Sequence, residues 1–376
     1  MKNTILLLLV TIIICSCSSE KKNSMISEFD FDLKVSPYSG IVTYRSRLEI
    51  VRNKYSYIGI TKENENTDES FFFKSEDYFY NIKLMPVVPT SGWWKLRPVN
   101  DNHLIAYNGV YESPFYGIQS TDGGNSWNLF YTYTPAFGDE LMGLCPFNES
   151  SGLSFIYGSW KKTKVFRYTM QGSTKVSEIP GYCVYLYKYK DSNTVYVIAN
   201  SSDNVSPSTG MNTYFISSVD NGQTWSKPIC ISNELSPESF FYFGDDKMIV
   251  NCTGLSNFYF ESNDGGNNWS KKSVSNVDKI RSLHFVSKNI GFIKTGHTDS
   301  WVEKNSGHVF RTLNGGVTWQ QMTNETVLGS RIYFIDENTG FLQDIDYRNG
   351  QILLETQDGG KTWKEVLYPY PIVVPQ

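Results

Sequence analysis

One eight-residue pattern occurs five times in this chain and restricts its fold more than any other feature of the sequence. It reads Ser/Thr-x-Asp/Asn-x-Gly-x-x-Trp, and we refer to each copy as a box. The Asp or Asn side chain can accept hydrogen bonds from nearby backbone N–H groups and so close a tight turn. Gly supplies positive φ without a steric cost, and the Ser/Thr hydroxyl adds a second local bond. The boxes are Ser120–Trp127, Ser218–Trp225, Ser262–Trp269, Thr312–Trp319 and Thr356–Trp363.

We predict that each box is a hairpin turn followed by a hydrophobic anchor, because its Trp buries a large ring. The turn residues are Asp122, Asp220, Asp264, Asn314 and Asp358, and the anchors are Trp127, Trp225, Trp269, Trp319 and Trp363. A calcium-binding loop needs several carboxylates, whereas a box supplies at most one. The boxes therefore indicate structural turns, and we predict no metal site.

The spacing of the boxes indicates a repeated unit. Their starts at 120, 218, 262, 312 and 356 are separated by 98, 44, 50 and 44 residues. The first gap is twice a repeat, so a degenerate box is expected near Thr169–Ser173, and Ser75–Asp77 is a second degenerate copy. Leu283–Phe292 matches Ile332–Phe341 as a first strand, a turn and the start of a second strand. Similar starts occur near Leu48, Leu96, Leu144, Val184 and Phe240.

These repeats predict an all-β fold, a seven-bladed β-propeller with four short strands in each blade. The alternative is six blades, which would need about 58 residues each over residues 28–376 and fits the observed spacing less well. Either Phe29–Val35, which alternates apolar and polar residues, or Pro371–Val374 could supply the last edge strand of the ring. A propeller must protect that edge.

The boxes resemble the Asp-box, or BNR repeat, of sialidases, sortilin-type receptors, some glycoside hydrolases and photosystem II assembly-factor propellers. The layout Phe-x5-Gly-Phe followed by Thr-x-Asp/Asn-Gly-Gly-x-Thr-Trp is most similar to the assembly-factor and sortilin-like branch. This resemblance covers residues 280–367 well and is weak before residue 115. It implies that each box lies between the third and fourth strands of a blade, and it indicates a fold more firmly than an activity.

The N-terminus predicts export and lipid attachment. Lys2 and the apolar run Ile5–Ile14 form a signal peptide that is too short to span a bilayer. Cys17 follows a small residue and resembles the lipidated cysteine of a bacterial lipobox, whereas Cys15 follows Ile and is a poorer cleavage site. Lipidation would hold the protein on a membrane, and we expect the bacterial cell envelope, at the outer membrane. The predicted organisation is a signal peptide over 1–16, a lipidated Cys and tether over 17–27, and a propeller over 28–376.

Charge and cysteine content limit the partners. The net charge of −4 becomes −5 without residues 1–16, and no basic block is present, which argues against nucleic-acid binding. No cofactor and no particular oligomeric state are predicted. An oxidising compartment permits disulfides, and three pairings of the remaining cysteines are possible, with buried free thiols as the alternative. These cysteines are Cys145, Cys183, Cys230 and Cys252.

Aromatic and arginine residues mark a candidate ligand face. In a propeller the boxes lie at one end of the blades, and the second-to-third strand loops lie at the other, where many propellers bind ligands. The predicted loops of that end hold Trp93, Trp94, Tyr111, Trp160, Trp301 and Tyr347, joined by Tyr131 and Tyr133. Exposed rings there suit a protein partner or stacking on sugars, and the alternative is that they pack the loops over the central channel. Arg97, Arg281 and Arg331 lie near first-strand starts and could face the channel.

Catalysis is less well supported than binding. A sialidase would need three arginines, a Tyr–Glu pair and an early Phe/Tyr-Arg-Ile-Pro motif, and the nearest string here is Leu96-Arg97-Pro98. The adjacent acids Asp139 and Glu140 are expected to be solvated, and His297 with His308 lacks a third metal ligand. We therefore predict no catalytic residues. The expected function is a lipid-anchored binding or assembly module for an envelope protein, with a sialidase-like or other glycan-active hydrolase and a glycan-binding module as alternatives.

Overall fold

Every regular element in the described part of the chain is a β-strand, which confirms the all-β prediction. The computed structural model describes residues 27–34, 43–50, 56–63, 68–75, 83–85, 94–99, 102–108, 114–158, 162–188, 192–201, 212–233, 235–244, 246–252, 256–296, 306–346 and 350–365. Within these ranges, no helix has the length and apolar character that crossing a membrane requires.

The strands pair antiparallel in sheets that follow the chain order. The first sheet contains β1 (Ser27–Lys34), β2 (Thr43–Ile50), β3 (Ser56–Glu63), β4 (Asp68–Ser75) and β5 (Lys83–Leu84). The second contains β6 (Trp94–Pro98), β7 (Leu104–Asn108), β8 (Phe115–Ser120) and β9 (Asn128–Tyr133). The third contains β10 (Glu140–Asn148), β11 (Ser151–Gly158), β12 (Lys162–Thr169) and β13 (Gly172–Pro180). The fourth contains β14 (Tyr182–Lys188), β15 (Val195–Ser201), β16 (Asn212–Ser218) and β17 (Ile229–Ser232).

The second half of the chain continues this pattern. The fifth sheet contains β18 (Pro237–Tyr242), β19 (Met248–Cys252), β20 (Phe258–Ser262) and β21 (Ser270–Ser273). The sixth contains β22 (Ile280–Phe285), β23 (Gly291–Thr295), β25 (Val309–Thr312) and β26 (Gln320–Gln321), while β24 (Ser306–Gly307) pairs separately with β27 (Val327–Leu328). The seventh sheet contains β28 (Arg331–Phe334), β29 (Gly340–Asp346), β30 (Gly350–Thr356) and β31 (Lys364–Glu365).

Neighbouring sheets pack against each other in a ring. The first strand of a sheet lies against the first strand or the second strand of the sheet before it, as β6, β10, β14, β18, β22 and β28 all do. The ring closes where β1 lies against β30. Of the two segments expected at the ring closure, Phe29–Val35 is described as far as Lys34, and that part lies in β1 and pairs with β2 rather than with β31. The other segment, Pro371–Val374, lies outside the described residues.

The boxes lie at one end of every sheet that contains them, between its third and fourth strands. They connect β8 to β9, β16 to β17, β20 to β21, β25 to β26 and β30 to β31. The degenerate box at Thr169–Ser173 joins β12 to β13 in the same way. We call this end the box face. The opposite end, where the first strands begin and the second strands lead into the third strands, is the loop face.

Each box turn is closed by its own polar side chains. In the first box the Ser120 hydroxyl accepts a bond of 2.7 Å from the N–H of Gly124 and donates to Asp122 at 2.7 Å. Asp122 also accepts from the N–H groups of Asn125 and Ser126, so the carboxylate reaches three and four residues along the chain rather than two. In the second box, which lacks the first Gly, Asn221 adopts a φ of 56°. The box turn also bonds the first-to-second strand turn of its own sheet, as in Gly265 to Asp246 at 2.9 Å.

These turns should make the protein sensitive to acid. The Ser126 hydroxyl and N–H lower the pKa of Asp122 to about 2, and Thr224 does the same for Asp220. Each carboxylate therefore contributes stability above its unfolded pKa of about 4, and that contribution is lost as the pH falls to about 2. In urea titrations, wild type should lose stability over this window more steeply than the Asp122→Asn/Asp220→Asn double variant.

The fourth box supplies a natural control for this prediction. Asn314 accepts from the Thr318 N–H at 2.9 Å with an amide that does not titrate. Asn314→Asp should therefore add acid sensitivity over the same pH window. If all three proteins lost stability in parallel between pH 4 and pH 2, the box carboxylates would not be the titrating groups.

The second glycine of each box touches the sheet before it. A Cβ built on Gly266 would lie 2.3 Å from the Phe215 ring, and one on Gly316 would lie 2.0 Å from the Tyr259 hydroxyl. The corresponding contacts of the other boxes are Gly124 with Met85, Gly222 with Leu153 and Gly360 with Val309. A box is thus both a hairpin turn and an interlock with the neighbouring sheet.

In the degenerate box of the third sheet, Ser173 stands at the position of the second glycine, and Gly172 stands at the position of the first. A Cβ on Gly172 would meet nothing within 4 Å. Aromatic packing joins the second sheet to the third instead, since the Tyr168 ring lies edge-on to Phe130 and to Tyr131, both with centroids 5.5 Å away. All three rings are buried in this core.

Candidate functional site

Two β-bulges on the loop face place charged side chains at equivalent points of neighbouring sheets. In the pairing of β18 with β19 the register slips at Glu238, and in the pairing of β22 with β23 it slips at Arg281. Each is the extra residue at the start of a first strand, and a bulge commonly redirects the side chain of its extra residue. Glu238 and Arg281 therefore occupy the same position in the fifth and sixth sheets.

Glu238 is the centre of this cluster. It is half-buried, and its Oε2 accepts a bond of 3.0 Å from the amide of Asn251, which is fully buried. The Tyr185 hydroxyl donates to the main-chain carbonyl of Glu238. Burial raises the pKa of Glu238 to about 7, and the charges of Arg281 and Arg331 act in the opposite direction. Both guanidinium groups thus lie within electrostatic reach of one carboxylate.

Arg331 joins the cluster from the seventh sheet, where it is the first residue of β28. The next N–H, that of Ile332, donates to the Ser282 hydroxyl at 3.2 Å and fixes β28 against β22. The short pair of β24 with β27 lies just before β28 in the chain and brings Ser306 opposite Leu328. The bond from Ile332 to Ser282 therefore places two of the predicted binding residues, Arg281 and Arg331, on neighbouring strands at the same end of the ring.

Arg281 also lies against Gly296, the residue that follows β23. A Cβ built on Gly296 would lie 3.3 Å from Cβ of Arg281, so the arginine stem covers that glycine. Gly296 is the last described residue before 297–305, and Trp301 and His297 lie outside the described residues. Arg281 therefore lies at the loop-face end of β23.

The other predicted binding residues divide into two groups. Trp93, Tyr111, Trp160 and Tyr347 lie outside the described residues. Of these, Tyr111 falls in the second-to-third strand connection of the second sheet, Trp160 in that of the third and Tyr347 in that of the seventh. Trp94 and Arg97 belong to strand β6, so Trp94 starts a strand rather than lying in a loop.

Two of the tyrosines predicted to be exposed have other roles. Tyr131 is only 3% exposed and packs on Tyr168, because it lies in β9 and points into the core between two sheets. Burial also raises its pKa above the ordinary tyrosine value. Tyr133 is half-buried, stacks on Phe115 and donates to Asp139 at 3.4 Å. The expectation of an exposed ring was wrong for Tyr131.

Asp139 is buried, which contradicts the expectation of a solvated acid. It is 1% exposed, and its Oδ1 accepts from Nζ of Lys164 at 2.9 Å. Its Oδ2 accepts from the N–H of Ala136 at 3.1 Å. Since this carboxylate is committed to an ion pair and a turn, it is a structural residue. Its neighbour Glu140 accepts from the Tyr182 hydroxyl at 3.4 Å.

The turn that Asp139 closes presents an aromatic side chain that the sequence did not single out. The N–H of Asp139 donates back to the Ala136 carbonyl at 3.0 Å, and Gly138 has a φ of 79°. Between them, Phe137 is 84% exposed. The turn connects β9 to β10 and therefore lies on the loop face, on a support fixed by the Lys164 ion pair.

The cysteines and potential metal ligands show no further site in the described part of the chain. Cys145, Cys183, Cys230 and Cys252 are free thiols, and all but Cys230 are buried. No three His, Cys, Asp or Glu side chains come together there as a metal-binding set. His308 instead bonds the Thr323 carbonyl through Nδ1 at 3.2 Å.

Glu238 is the main residue of this site that sequence reasoning missed. The strings Pro237-Glu238-Ser239 and Ile280-Arg281-Ser282 stand at the same point of the repeat. Aligning the first strands by that point would have placed Glu238 beside Arg281. The sequence carried no corresponding signal for the pairing of Asp139 with Lys164.

Comparison with known proteins supports the fold. No protein family and no curated protein matches the sequence. Among solved structures, "YCF48 bound to D1 peptide" is 15% identical, with 80% of this chain and 87% of that chain covered and a TM-score of 0.50. The β-propeller domain of the Trilobed protease from Pyrococcus furiosus is 11% identical, with 85% and 96% covered and a TM-score of 0.53. YCF48 from Cyanidioschyzon merolae is 13% identical, with 81% and 89% covered and a TM-score of 0.46.

Proposed function

The chain is a β-propeller, the fold class that these similarities confirm, and we propose that its loop face binds an acidic segment of a protein partner. We further propose that a lipid on Cys17 holds this non-catalytic binding module at the bacterial cell envelope. The observation that carries the proposal is that Arg281 and Arg331 stand at the loop-face ends of the neighbouring strands β22 and β28, which the bond from the Ile332 N–H to the Ser282 hydroxyl joins. A guanidinium group binds a carboxylate through two parallel hydrogen bonds, so two such groups at one point suit an acidic ligand.

Phe137 favours a protein over a smaller ligand. A large aromatic side chain held outward on a fixed turn is typical of the anchors that dominate protein interfaces. The sequence also predicts Trp160 and Trp301 in loops of this face, although both lie outside the described residues. One of the propellers with a similar fold is itself described as bound to a peptide. Together these features support protein binding through a charged centre and an aromatic surround.

Capture from solubilised native membranes tests this proposal. Wild type should retain a specific protein, and the Arg281→Ala/Arg331→Ala double variant should lose it at least tenfold by quantitative mass spectrometry. The matched control is Lys361→Ala/Lys364→Ala, which removes two exposed cations from the box face and should capture as much as wild type. Equal capture by both double variants would contradict an arginine-dependent loop face.

A glycan that carries carboxylates is the second candidate ligand. Uronic and sialic acids present the same anionic group to Arg281 and Arg331, and aromatic residues on the loop face could stack on their rings. A panel of acidic and neutral polysaccharides would separate the two candidates. Retention of the acidic members alone, without a protein captured from membranes, would favour the glycan. Release of sugars from any of them would point to the hydrolase alternative.

The lipid anchor is tested by substitution of the predicted lipidation site. Cys17→Ala should move the protein from the membrane fraction to the soluble fraction and abolish the incorporation of labelled palmitate, because the acyl chains would be absent. Cys15→Ala is the matched control and should remain in the membrane with its label. A Cys17→Ala protein that stays labelled would contradict this assignment.

A further inference from the structure

We propose that the box face lies on the lipid bilayer to which Cys17 attaches the protein, with apolar side chains of the box turns in contact with phospholipid and the loop face directed away from the membrane. The inference rests on the proposed lipid anchor and goes beyond it, because an anchor alone does not determine which face meets the bilayer. It also leaves the loop face open to a partner in the aqueous compartment.

Exposed apolar side chains are concentrated on the box face. In the described part of the chain, six large apolar side chains are exposed. Four of them stand in box turns and are called the apolar tips here: Met170, Val219, Leu313 and Val317, with exposed fractions of 59–80%. A fifth, Leu129, is two residues after the Trp of the first box, and only Phe137 lies on the loop face. Turn positions normally carry polar residues, so this distribution indicates a face that meets an apolar surface.

The apolar tips stand at corresponding points of separate sheets. Met170 belongs to the third sheet, Val219 to the fourth, and Leu313 and Val317 to the sixth. The first three directly follow the Ser or Thr that opens their box, and Val317 directly follows the second glycine. Since equivalent turns of a ring end at a similar level, a flat surface can touch all of them together. This arrangement suits a bilayer better than a peptide bound in a groove.

The chain enters the propeller at the box face. Strand pairing puts four residues in one row across the first sheet, namely Ser27, Ile50, Ser56 and Ser75. Ser75 opens the degenerate box of this sheet. The preceding residue, Lys74, donates from Nζ to the Gly123 carbonyl in the box of the second sheet at 3.2 Å. Ser27 therefore stands at the box-face end of β1.

The predicted tether keeps the bilayer close to this end of the ring. Ser27 is ten residues after Cys17, and ten extended residues span at most about 36 Å. To bring the loop face to the membrane, the tether would first have to run past a strand as long as β1, whose eight residues extend about 26 Å. The box face is thus the face that the lipid on Cys17 would hold nearest to the membrane.

Apolar contact rather than charge would hold the box face on lipid. The five boxes contain one cation, Lys361, and four carboxylates, those of Asp122, Asp220, Asp264 and Asp358. Anionic headgroups attract clusters of cations, which the boxes do not supply. Binding of side chains at a membrane interface increases with the apolar area that they bury there. The acyl chains would therefore provide the affinity, and the apolar tips would provide the orientation.

Fluorescence quenching by spin-labelled lipid tests the proposal on the full lipidated chain. A thiol-reactive fluorophore is attached through Val219→Cys or Val317→Cys on the box face, and through Ala136→Cys at an exposed position of the loop face. The background is Cys230→Ser, because the other cysteines in the described ranges are buried. In vesicles of phosphatidylethanolamine and phosphatidylcholine, both box-face labels should be quenched about threefold more than the loop-face label. Added salt should not change this ratio, since the contact is apolar.

Removal of two apolar tips provides a second readout. Leu313→Ser/Val317→Ser should lower the quenching of the label at Val219→Cys about twofold, because the sixth sheet loses its contact with lipid. The matched control, Phe137→Ser, removes an exposed ring from the loop face and should leave this quenching unchanged. Circular dichroism would establish that the variants are folded. Equal quenching in the double variant and the control would overturn the role of the apolar tips.

Vesicle flotation separates this inference from the proposed anchor. If the protein floats with the vesicles but its box-face labels are quenched no more than the loop-face label, the anchor stands and the orientation is overturned. If the protein does not float, the lipid on Cys17 is absent, and the anchor and the orientation fail together. Capture of a partner through Arg281 and Arg331 is a separate measurement, so its failure is distinguishable from both.

Discussion

Gly316→Ala is expected to destabilise the protein by about 2–6 kcal/mol, from the sum of a backbone and a packing effect. Gly316 has a φ of 90°, a conformation that costs a residue with a Cβ about 1–3 kcal/mol. The new methyl group would also lie 2.0 Å from the Tyr259 hydroxyl, in a core where overpacking costs about 1–3 kcal/mol. Urea denaturation monitored by Trp fluorescence would measure the change as a lower midpoint.

Gly172→Ala is the control that separates these two effects. Gly172 also has a positive φ, of 138°, but a Cβ there would meet no atom within 4 Å. It should therefore show the backbone effect alone and lose less stability than Gly316→Ala. Equal losses at the two positions would contradict the interlock between the box glycine and the preceding sheet.

Trp319→Ala is expected to cost about 3–5 kcal/mol, as truncation of a buried aromatic side chain typically does. Trp319 is 8% exposed and belongs to the core between the fifth and sixth sheets. Its ring lies edge-on to Phe285 and Tyr259, with centroid distances of 5.9 and 6.4 Å. Removal of the ring leaves a cavity that these neighbours cannot fill. Urea denaturation measures this loss, and a decrease in the free energy of unfolding of less than about 1 kcal/mol would contradict the anchor role of Trp319.

Trp363→Ala provides a graded comparison, because the five anchors are not buried equally. The Trp363 ring is half-buried, although it too packs edge-on against a phenylalanine, Phe334, with a centroid distance of 6.0 Å. Its truncation should cost less than that of Trp319, since less apolar surface is removed from the interior. A larger loss at Trp363 than at Trp319 would show that burial does not determine the strength of the anchor.

Local features of the sequence predicted the fold well, whereas contacts between sheets were harder to predict. The boxes located the third-to-fourth strand turns because Asp and Ser side chains bond only their own few residues, as Asp122 and Ser120 do. The predicted strand starts near Leu144, Val184 and Phe240 all fall in first strands, because the sequence repeats from one sheet to the next.

The candidate site was only partly predictable because its residues are brought together by separate sheets. Arg281 and Arg331 were identified from their positions in the repeat, but the half-buried carboxylate beside them was not. The residues around Glu238 come from β19, β22 and β28, and the last of these strands begins 93 residues further along the chain, at Arg331. The burial of Tyr131 likewise depends on Tyr168 from the next sheet. A single pattern of two to eight residues does not contain such contacts, and only the alignment of one repeat with the next indicates that Glu238 and Arg281 are neighbours.

The interlocks of the box glycines all join a sheet to the preceding one, and the closure of the ring has none. A displacement of one sheet is therefore transmitted to the sheet before it in the chain. The glycines that make these contacts include Gly360, Gly316, Gly266 and Gly222. The contact of β1 with β30 is of another kind, since it joins two strands without a box glycine between them. The joint between the second and third sheets also has no box glycine, since Tyr168 packs there on Phe130 and Tyr131, so two joints of the ring lack an interlock. Thermal fluctuations should separate the first and last sheets before any two sheets that an interlock joins. Ring opening would then be a local event that leaves the rest of the fold intact.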